Sequence, residues 1–574
     1  MYAISKAKQQ ILKDIKRAVG KEYTPSLDDL STPPKPEMGD ISFPCFSLAK
    51  ALKKNPAELA NELQAKMAAK GIVKKISSEG PYLNFSLNDS VLAKEVFERI
   101  EEYGEKYGSQ EKSQKAKIVV EYANINTHKI IHVGHLRNFF IGEVVINIFR
   151  ANGQNVIPVY YINDLGMHVA HVIWAYQKFF KGDEPETCNE RNDLLGKLYV
   201  QAVKKVADNP LLKKEVSKVF QDLENMNGEA IKIWKKTRKW SLDYIHSVYN
   251  ELGLEIKKKY YESDYIAQTR ELIEELIKKG IATHSEGAWI VDLQDEKLGV
   301  NLLVKSDKTL LYNAKDLALA FQKEKDFSPK RSIYIVDARQ SFALKQLFAT
   351  LARMNFKKDL EHLSYEFITL KGGAMSSREG NVIRYEKFRD AMIEMAQFET
   401  KQRHSDWDEE KICEVARKIA FAAMRFGMLR QDMEKKITFD IHEALSFEGF
   451  TGPYLLYTSA RLKSILRKAK TKEGGRLKPD SSGEFLTQPV EHKLIMLIAS
   501  YPEVIFSVGS SLQISCVAQY LFELAKTFSE YYESTPILKA DKKTASCRLA
   551  LVNAVSQVLE NGLSLLGIDT VKEM

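Results

Sequence analysis

"KIVVEYANINTHKIIHVGHLRNFFIGEVVINIFRANGQNVIPVYYI" (residues 117–162) holds a strand, a turn, a long helix and a second strand in one passage. Residues 117–122 form a short β-branched run of the kind buried in a sheet. From about residue 132 to 150, Leu136, Phe140, Val144 and Ile148 recur every four residues and share one helical stripe. "ANG" (151–153) stops the helix, and "NVIPVYYI" (155–162) is a second strand. This spacing predicts a βαβ unit with parallel strands. Ligands of such sheets sit at the carboxyl ends of the strands, and the turn before this helix carries His132, Gly134 and His135.

At 574 residues the chain exceeds a single core, so two to four domains are expected. Residues 101–117 are polar and lack large aliphatics, and read as a linker. The predicted division is an α+β module over 1–112, a Rossmann-type α/β domain over 113–430 with a helical insertion at about 172–290, and a helical bundle over 431–574. Short strands are predicted to resume the sheet around 288–293 and 332–337. The 44% apolar and 28% charged residues describe a globular protein. A net charge of +9 is mild and suits a polyanionic partner without requiring one. The five cysteines include no CxxC, which favours a reducing, cytoplasmic setting and predicts no structural zinc. The N-terminus lacks a secretory h-region, and no stretch approaches the ~18 apolar residues of a membrane span.

The paired histidines admit three readings. The N–H groups and dipole of a helix N-terminus bind phosphate, and imidazoles there donate to phosphoryl oxygens as charge develops. Gly134 clears space for a flat base. A metal reading needs further ligands, for which His168 and His171 are the only similarly spaced pair. Plain packing is the third. Two more signals follow: "KGGAMSSREGN" (371–381), a polar glycine-containing loop suited to a triphosphate, and "LLYNAKD" (310–316), which places Tyr312 and Asp316 on one helical face.

Taken in order, these stretches resemble a known family. His132-Val133-Gly134-His135 resembles the HIGH signature of class I aminoacyl-tRNA synthetases, and Ala374-Met375-Ser376-Ser377-Arg378 looks like a degenerate KMSKS. "YYINDLGMH", "TLLYNAKD", "VDARQSFALKQLF", "FTGPYLLYTSARLKSIL" and the terminal "LSLLGIDTVKEM" narrow the resemblance to arginyl-tRNA synthetases over nearly the whole chain. Three positions depart: Ala374 and Ser377 replace the two signature lysines, and His168 stands where the family usually has Gln.

The resemblance implies an arginine–tRNA ligase that uses ATP with Mg2+, L-arginine and tRNA(Arg), and acts as a monomer. It implies ATP binding by His132, Gly134, His135, Asp337, Met375, Ser376 and Ser377, with His132, His135, Lys129 and Arg378 stabilising charge on phosphoryl oxygens. A guanidinium needs carboxylates in fork geometry. Glu121 and Asp316, with Tyr312, are the expected side-chain pocket, and Asn126 and Gln340 the expected partners of the amino-acid end. The helical domain would read the anticodon through Tyr457, Arg461 and Met574, and the N-terminal module would touch tRNA near Phe43. The residues leave two rivals open: a small-molecule nucleotidylyltransferase, which shares HxGH, and a non-catalytic tRNA-binding protein.

Overall fold

Five parallel strands form the central sheet, in the order Asp359–Tyr365, Arg331–Asp337, Lys117–Glu121, Asn155–Ile162, Lys258–Tyr261. The computed structural model describes residues 2–20, 22–112, 116–371, 383–470 and 477–574. Strand order reverses between Lys117–Glu121 and Arg331–Asp337. That reversal opens a crevice at their carboxyl ends, where Glu121 and Asp337 stand.

The helix after the first strand, Val133–Ala151, is buried nearly all round, as the filler between the sheet and the helices beyond it must be. Arg137 on this helix is fully buried. Its guanidinium donates to the carbonyls of Glu366, Lys435 (2.8 Å) and Asp432 (3.0 Å). These carbonyls flank two short strands, Ile368–Leu370 and Ile437–Phe439, which pair in parallel. The helix bearing the histidine turn is thereby pinned to the chain on either side of residues 372–382.

Two expectations are corrected. The run at 288–293 does not rejoin the parallel sheet. Ala288–Asp292 is the middle strand of a separate antiparallel sheet with Thr283–Ser285 and Val300–Val304. The reason is the intervening Glu286-Gly287, both at positive φ (50° and 82°), a tight turn that folds the strand back on its neighbour. The second correction concerns Phe43. It lies on Ile41–Pro44, the edge strand of the N-terminal antiparallel sheet, with 0% exposure, so its side chain belongs to the module's core rather than to a tRNA contact. The exposed aromatics nearby are Phe46 and Tyr82, edge to face at 5.8 Å.

The C-terminal bundle packs Gly452–Lys470, Pro489–Ser511, Ser515–Ser534 and Lys542–Leu565. Pro489–Ser511 is long and apolar enough to cross a membrane by length and composition, and half of its most apolar stretch is buried inside the protein. It also carries Glu491, which accepts from Arg548 (2.8 Å) and Tyr531 (3.1 Å) in the bundle core. One residue further along the same helix, His492 reaches the N-terminal module. Nε2 meets Asp40 at 2.7 Å, and Nδ1 meets Asp89. The other Asp40 oxygen accepts from the Leu87 N–H at 2.7 Å.

The two aspartates raise the His492 pKa from 6.5 to about 10. A raised folded-state pKa contributes stability that is complete below the unfolded value and is lost as pH rises through about 10. His492→Ala is therefore expected to lower the melting temperature at pH 7. The gap from the parent protein should close as the pH approaches 10. A gap of the same size at both pH values would assign the contact to packing rather than charge.

Candidate active site

The histidine turn is built by reciprocal capping. His132 is the N-cap of its helix, and its Nδ1 accepts from the Gly134 N–H at 3.1 Å. In return the His132 N–H donates to His135 Nδ1 at 3.1 Å. The two rings lie 3.8 Å apart. Burial and the nearby Lys129 and Arg339 push His132 down to about 4, and burial carries His135 well below its ordinary value. Both imidazoles are thus neutral at pH 7. Because each Nδ1 accepts, each proton must reside on Nε2. The pair offers two uncharged Nε2–H donors. Gly134 has a reason beyond room for a base: a Cβ there would stand 2.9 Å from His132 Cε1.

A cleft of about 630 Å³ opens beside this turn at the switch point. The residues expected at the amino-acid end converge there, Glu121, Asn126, Tyr312, Asp316 and Gln340, together with Asp337, expected on the ATP side. Tyr312 opens the helix Tyr312–Phe327 and is half exposed, with Asp316 one turn further in. Asp337 is already committed, since both its oxygens bond Arg339, at 2.8 and 2.9 Å. Lys129 lies on the far side of the histidines, in an adjoining cavity of about 880 Å³ that also contains Lys197, Lys204, Arg384 and Lys387. Met375, Ser376, Ser377 and Arg378 fall outside the described residues.

The floor of the cleft is acidic. Glu121 is held by Lys323 at 2.7 Å and by Asn124 at 2.9 Å. Glu262, which the sequence reading did not single out, is 1% exposed and is held through Oε1 by Lys315. The Asp316 carboxylate has no hydrogen-bond or ion-pair partner among the described residues. Burial, with the charges of Glu121 and Glu262, raises it to about 8. Three buried atoms lining the cleft, Glu262 Oε2, Asn163 Oδ1 and Tyr161 Oη, also lack partners. Two of the three are oxygens that can only accept. The floor therefore presents unsatisfied acceptors, with the Tyr161 hydroxyl also able to donate, and carries no cation among its lining residues. Tyr161 and Asn163 lie in the "YYINDLGMH" stretch that carries the family resemblance, while Glu262 follows a different strand and belongs to no such stretch.

Comparison with known proteins decides the family. A family model for "tRNA synthetases class I (R), catalytic domain" matches residues 98–441. The chain belongs to the arginyl-tRNA synthetase family. Models for the arginyl-tRNA synthetase N-terminal domain and the DALR anticodon-binding domain match residues 5–87 and 455–574. The arginine–tRNA ligases of Bdellovibrio bacteriovorus and Treponema denticola are each 33% identical, with 98% and 99% of both chains covered. The arginyl-tRNA synthetase of Thermus thermophilus superposes with a TM-score of 0.81 at 26% identity, over 99% of this chain and 100% of that one.

The second histidine pair does not extend the site into a metal centre. His171 donates from Nδ1 to the Met167 carbonyl at 2.6 Å on its own helix. His168 Nε2 is buried without a partner. Among the described residues no group of three or more His, Cys, Asp and Glu is arranged to hold an ion.

On the helical domain, Arg461 donates to the Tyr457 hydroxyl at 2.9 Å and lies between the Tyr457 and Tyr532 rings, 4.7 and 4.9 Å from their centres. Tyr454 instead packs on Phe522 and bonds Ser529. Met574 is half buried against the bundle core.

Gly134→Ala tests the histidine geometry. The added methyl displaces the His132 ring, and a displacement near 1 Å costs on the order of 10²-fold in rate. ATP–pyrophosphate exchange should fall by about that factor, with the far-ultraviolet circular dichroism unchanged. Exchange at the parent rate would show that the ring position is not critical.

Proposed function

We propose that this arginine–tRNA ligase seats the guanidinium of L-arginine on Asp316, with Glu121, Glu262 and Tyr312 around it. One observation carries the reading: a half-buried carboxylate, Asp316, with no hydrogen-bond or ion-pair partner among the described residues, beside the unpartnered Glu262 Oε2, Asn163 Oδ1 and Tyr161 Oη. A guanidinium is a fixed cation with five donors and no acceptor, the complement of that floor. Asn126 and Gln340 would hold the amino-acid end towards the histidine turn. The substrate carboxylate then attacks the ATP α-phosphorus and pyrophosphate leaves. The terminal adenosine 2′-OH of tRNA next attacks the adenylate carbonyl, forming the ester and releasing AMP.

The enzyme contributes positioning and charge stabilisation rather than a nucleophile. His132 and His135 donate through Nε2–H to phosphoryl oxygens as their charge grows, without an added cation to bind the ground state too tightly. Arg339 at the cleft mouth and Lys129 behind the histidines supply positive charge in place of the two absent signature lysines. Mg2+ is carried in with ATP. The five free thiols suit a cytoplasmic enzyme.

The binding energy should depend on pH in a defined direction. Arginine binds the ionised form of Asp316, which ordinarily loses its proton only near pH 8 in the free protein. Affinity should therefore rise as pH climbs from 7 towards 9, with proton release. Asp316→Asn should raise the arginine KM by at least ~100-fold, remove this pH dependence and leave the ATP KM nearly unchanged. Steady-state aminoacylation across pH 6.5–9 checks this. An unchanged arginine KM would refute the assignment.

The Arg461 guanidinium between two tyrosines offers a platform for unpaired anticodon bases, and the exposed Phe46 and Tyr82 offer one on the N-terminal module. Tyr457→Ala should weaken tRNA binding by ~1–3 kcal/mol per base stacked while the arginine and ATP KM values hold. Filter binding and thermal melts separate this from unfolding of the bundle.

A further inference from the structure

The Tyr161 hydroxyl lines the cleft, is shielded from water and has no hydrogen-bond partner among the described residues. The rest of the residue is firmly held. Tyr161 is the penultimate residue of the strand Asn155–Ile162, which has sheet neighbours on both sides. Its ring packs against a cluster of Val119, Ile157, Val159, Tyr260 and Leu319, the last from the helix Tyr312–Phe327. Its N–H donates to Asn124 Oδ1 at 2.8 Å, and Asn124 donates in turn to Glu121 at 2.9 Å.

The neighbouring tyrosines differ. Tyr160, one residue back, meets His246 at 2.7 Å. Tyr260, opposite Tyr161 on the next strand, donates to Asp326 at 2.9 Å. A buried hydroxyl without a partner is costly. The fold meets that demand at Tyr160 and Tyr260 and leaves it unmet at Tyr161. The charged groups that act on the Tyr161 phenol are acids: Glu262, Asp316, Glu121 and Asp164. Asp164 is bonded to Arg238 and Ser263, and the other three line the cleft.

We infer that Tyr161 is a specificity-determining residue: its hydroxyl oxygen accepts one of the guanidinium N–H groups that Asp316 cannot. The inference rests on the reading of this cleft as the seat of the arginine side chain.

A guanidinium carries five donors in one plane, and a carboxylate in fork geometry takes two of them. The others need acceptors that approach from elsewhere. Asp316 comes from a helix and Tyr161 from a strand, so the two reach the cleft from different elements. A phenol oxygen accepts while its own hydrogen turns away from the cation, towards the acceptor oxygens beside it. It does this without adding a charge to a cleft that already holds three carboxyl groups. The ring is fixed before the substrate arrives, so little ordering is left for binding to supply.

The consequence is discrimination against lysine. A lysine ammonium is a compact point charge, and it ends where the central guanidinium carbon would lie. It can reach Asp316 and still fall short of the Tyr161 oxygen. Arginine gains the second contact and lysine does not.

The test uses the full-length enzyme with tRNA. Tyr161→Phe, which keeps the ring and its packing, and Asp316→Asn are compared with the parent. Steady-state aminoacylation gives the arginine and ATP KM values, competition gives the inhibition constant of lysine, and thermal melts give stability. Tyr161→Phe is expected to raise the arginine KM at least ~10-fold. It should leave kcat, the ATP KM and the lysine inhibition constant within ~2-fold of the parent. Its melting temperature should equal or exceed the parent's, since the free protein loses no hydrogen bond. An unchanged arginine KM overturns the inference. So does a lysine inhibition constant that rises as much as the arginine KM, the sign of a loosened pocket. A lowered melting temperature overturns it as well, because the hydroxyl would then have a structural partner. Where lysine inhibits neither protein, the arginine KM decides. A raised arginine KM for Asp316→Asn alone removes the inference and leaves the site standing. An unchanged arginine KM in both variants removes the site.

Discussion

The proposed site turns on one aspartate, Asp316, which has no hydrogen-bond or ion-pair partner among the described residues. Burying a carboxylate is costly unless a cation or hydrogen bonds compensate it. The chain surrounds Asp316 with two further acids, Glu121 and Glu262, and gives lysines only to those two. The apoprotein carries this as an aspartic acid that holds its proton to about pH 8. In the function proposed above, the substrate guanidinium supplies the missing cation. The sheet topology makes the arrangement possible. Glu121 ends the first strand beside the switch point, Glu262 follows the edge strand Lys258–Tyr261, and the helix Tyr312–Phe327 brings Asp316 and both lysines beside them.

The half of the cleft proposed for the nucleotide uses the opposite device. The histidines carry no charge, and their tautomers are set by the backbone. Each Nδ1 is occupied by an N–H of the capping turn, so the Nε2–H donors are fixed before any phosphate arrives. Gly134 leaves room for that ring arrangement, and Arg137 anchors the same helix through three backbone carbonyls. Preorganised neutral donors stabilise charge that develops in the transition state more than charge already present in the substrate.

Much of this was legible in the sequence, for identifiable reasons. The strand at 117–121 announces itself through a continuous β-branched run, the histidine helix through apolar periodicity, and the Tyr312/Asp316 face through its four-residue spacing. The edge strand Lys258–Tyr261 does not, because "KKYY" is half polar and its pairing depends on partners distant in sequence. Ala288–Asp292 looked like a core strand, and the turn at Glu286-Gly287 redirected it into a hairpin. The stretch around Phe43 resembles one that meets tRNA, and strand alternation turns the Phe43 side chain inward. Glu262 and the two lysines were invisible for a simpler reason. A charged residue in an isolated sequence looks solvated, and only the fold reveals which ones have lost their water.

The most direct test of the central claim is proton counting. Arginine is titrated calorimetrically into the full-length protein at pH 7 in two buffers of different ionisation enthalpy. If Asp316 holds its proton until the guanidinium displaces it, the two apparent enthalpies must differ by an amount equal to the release of about one proton per arginine bound. Identical enthalpies in the two buffers would mean that no carboxyl group in the cleft was waiting for a cation, and would contradict the account.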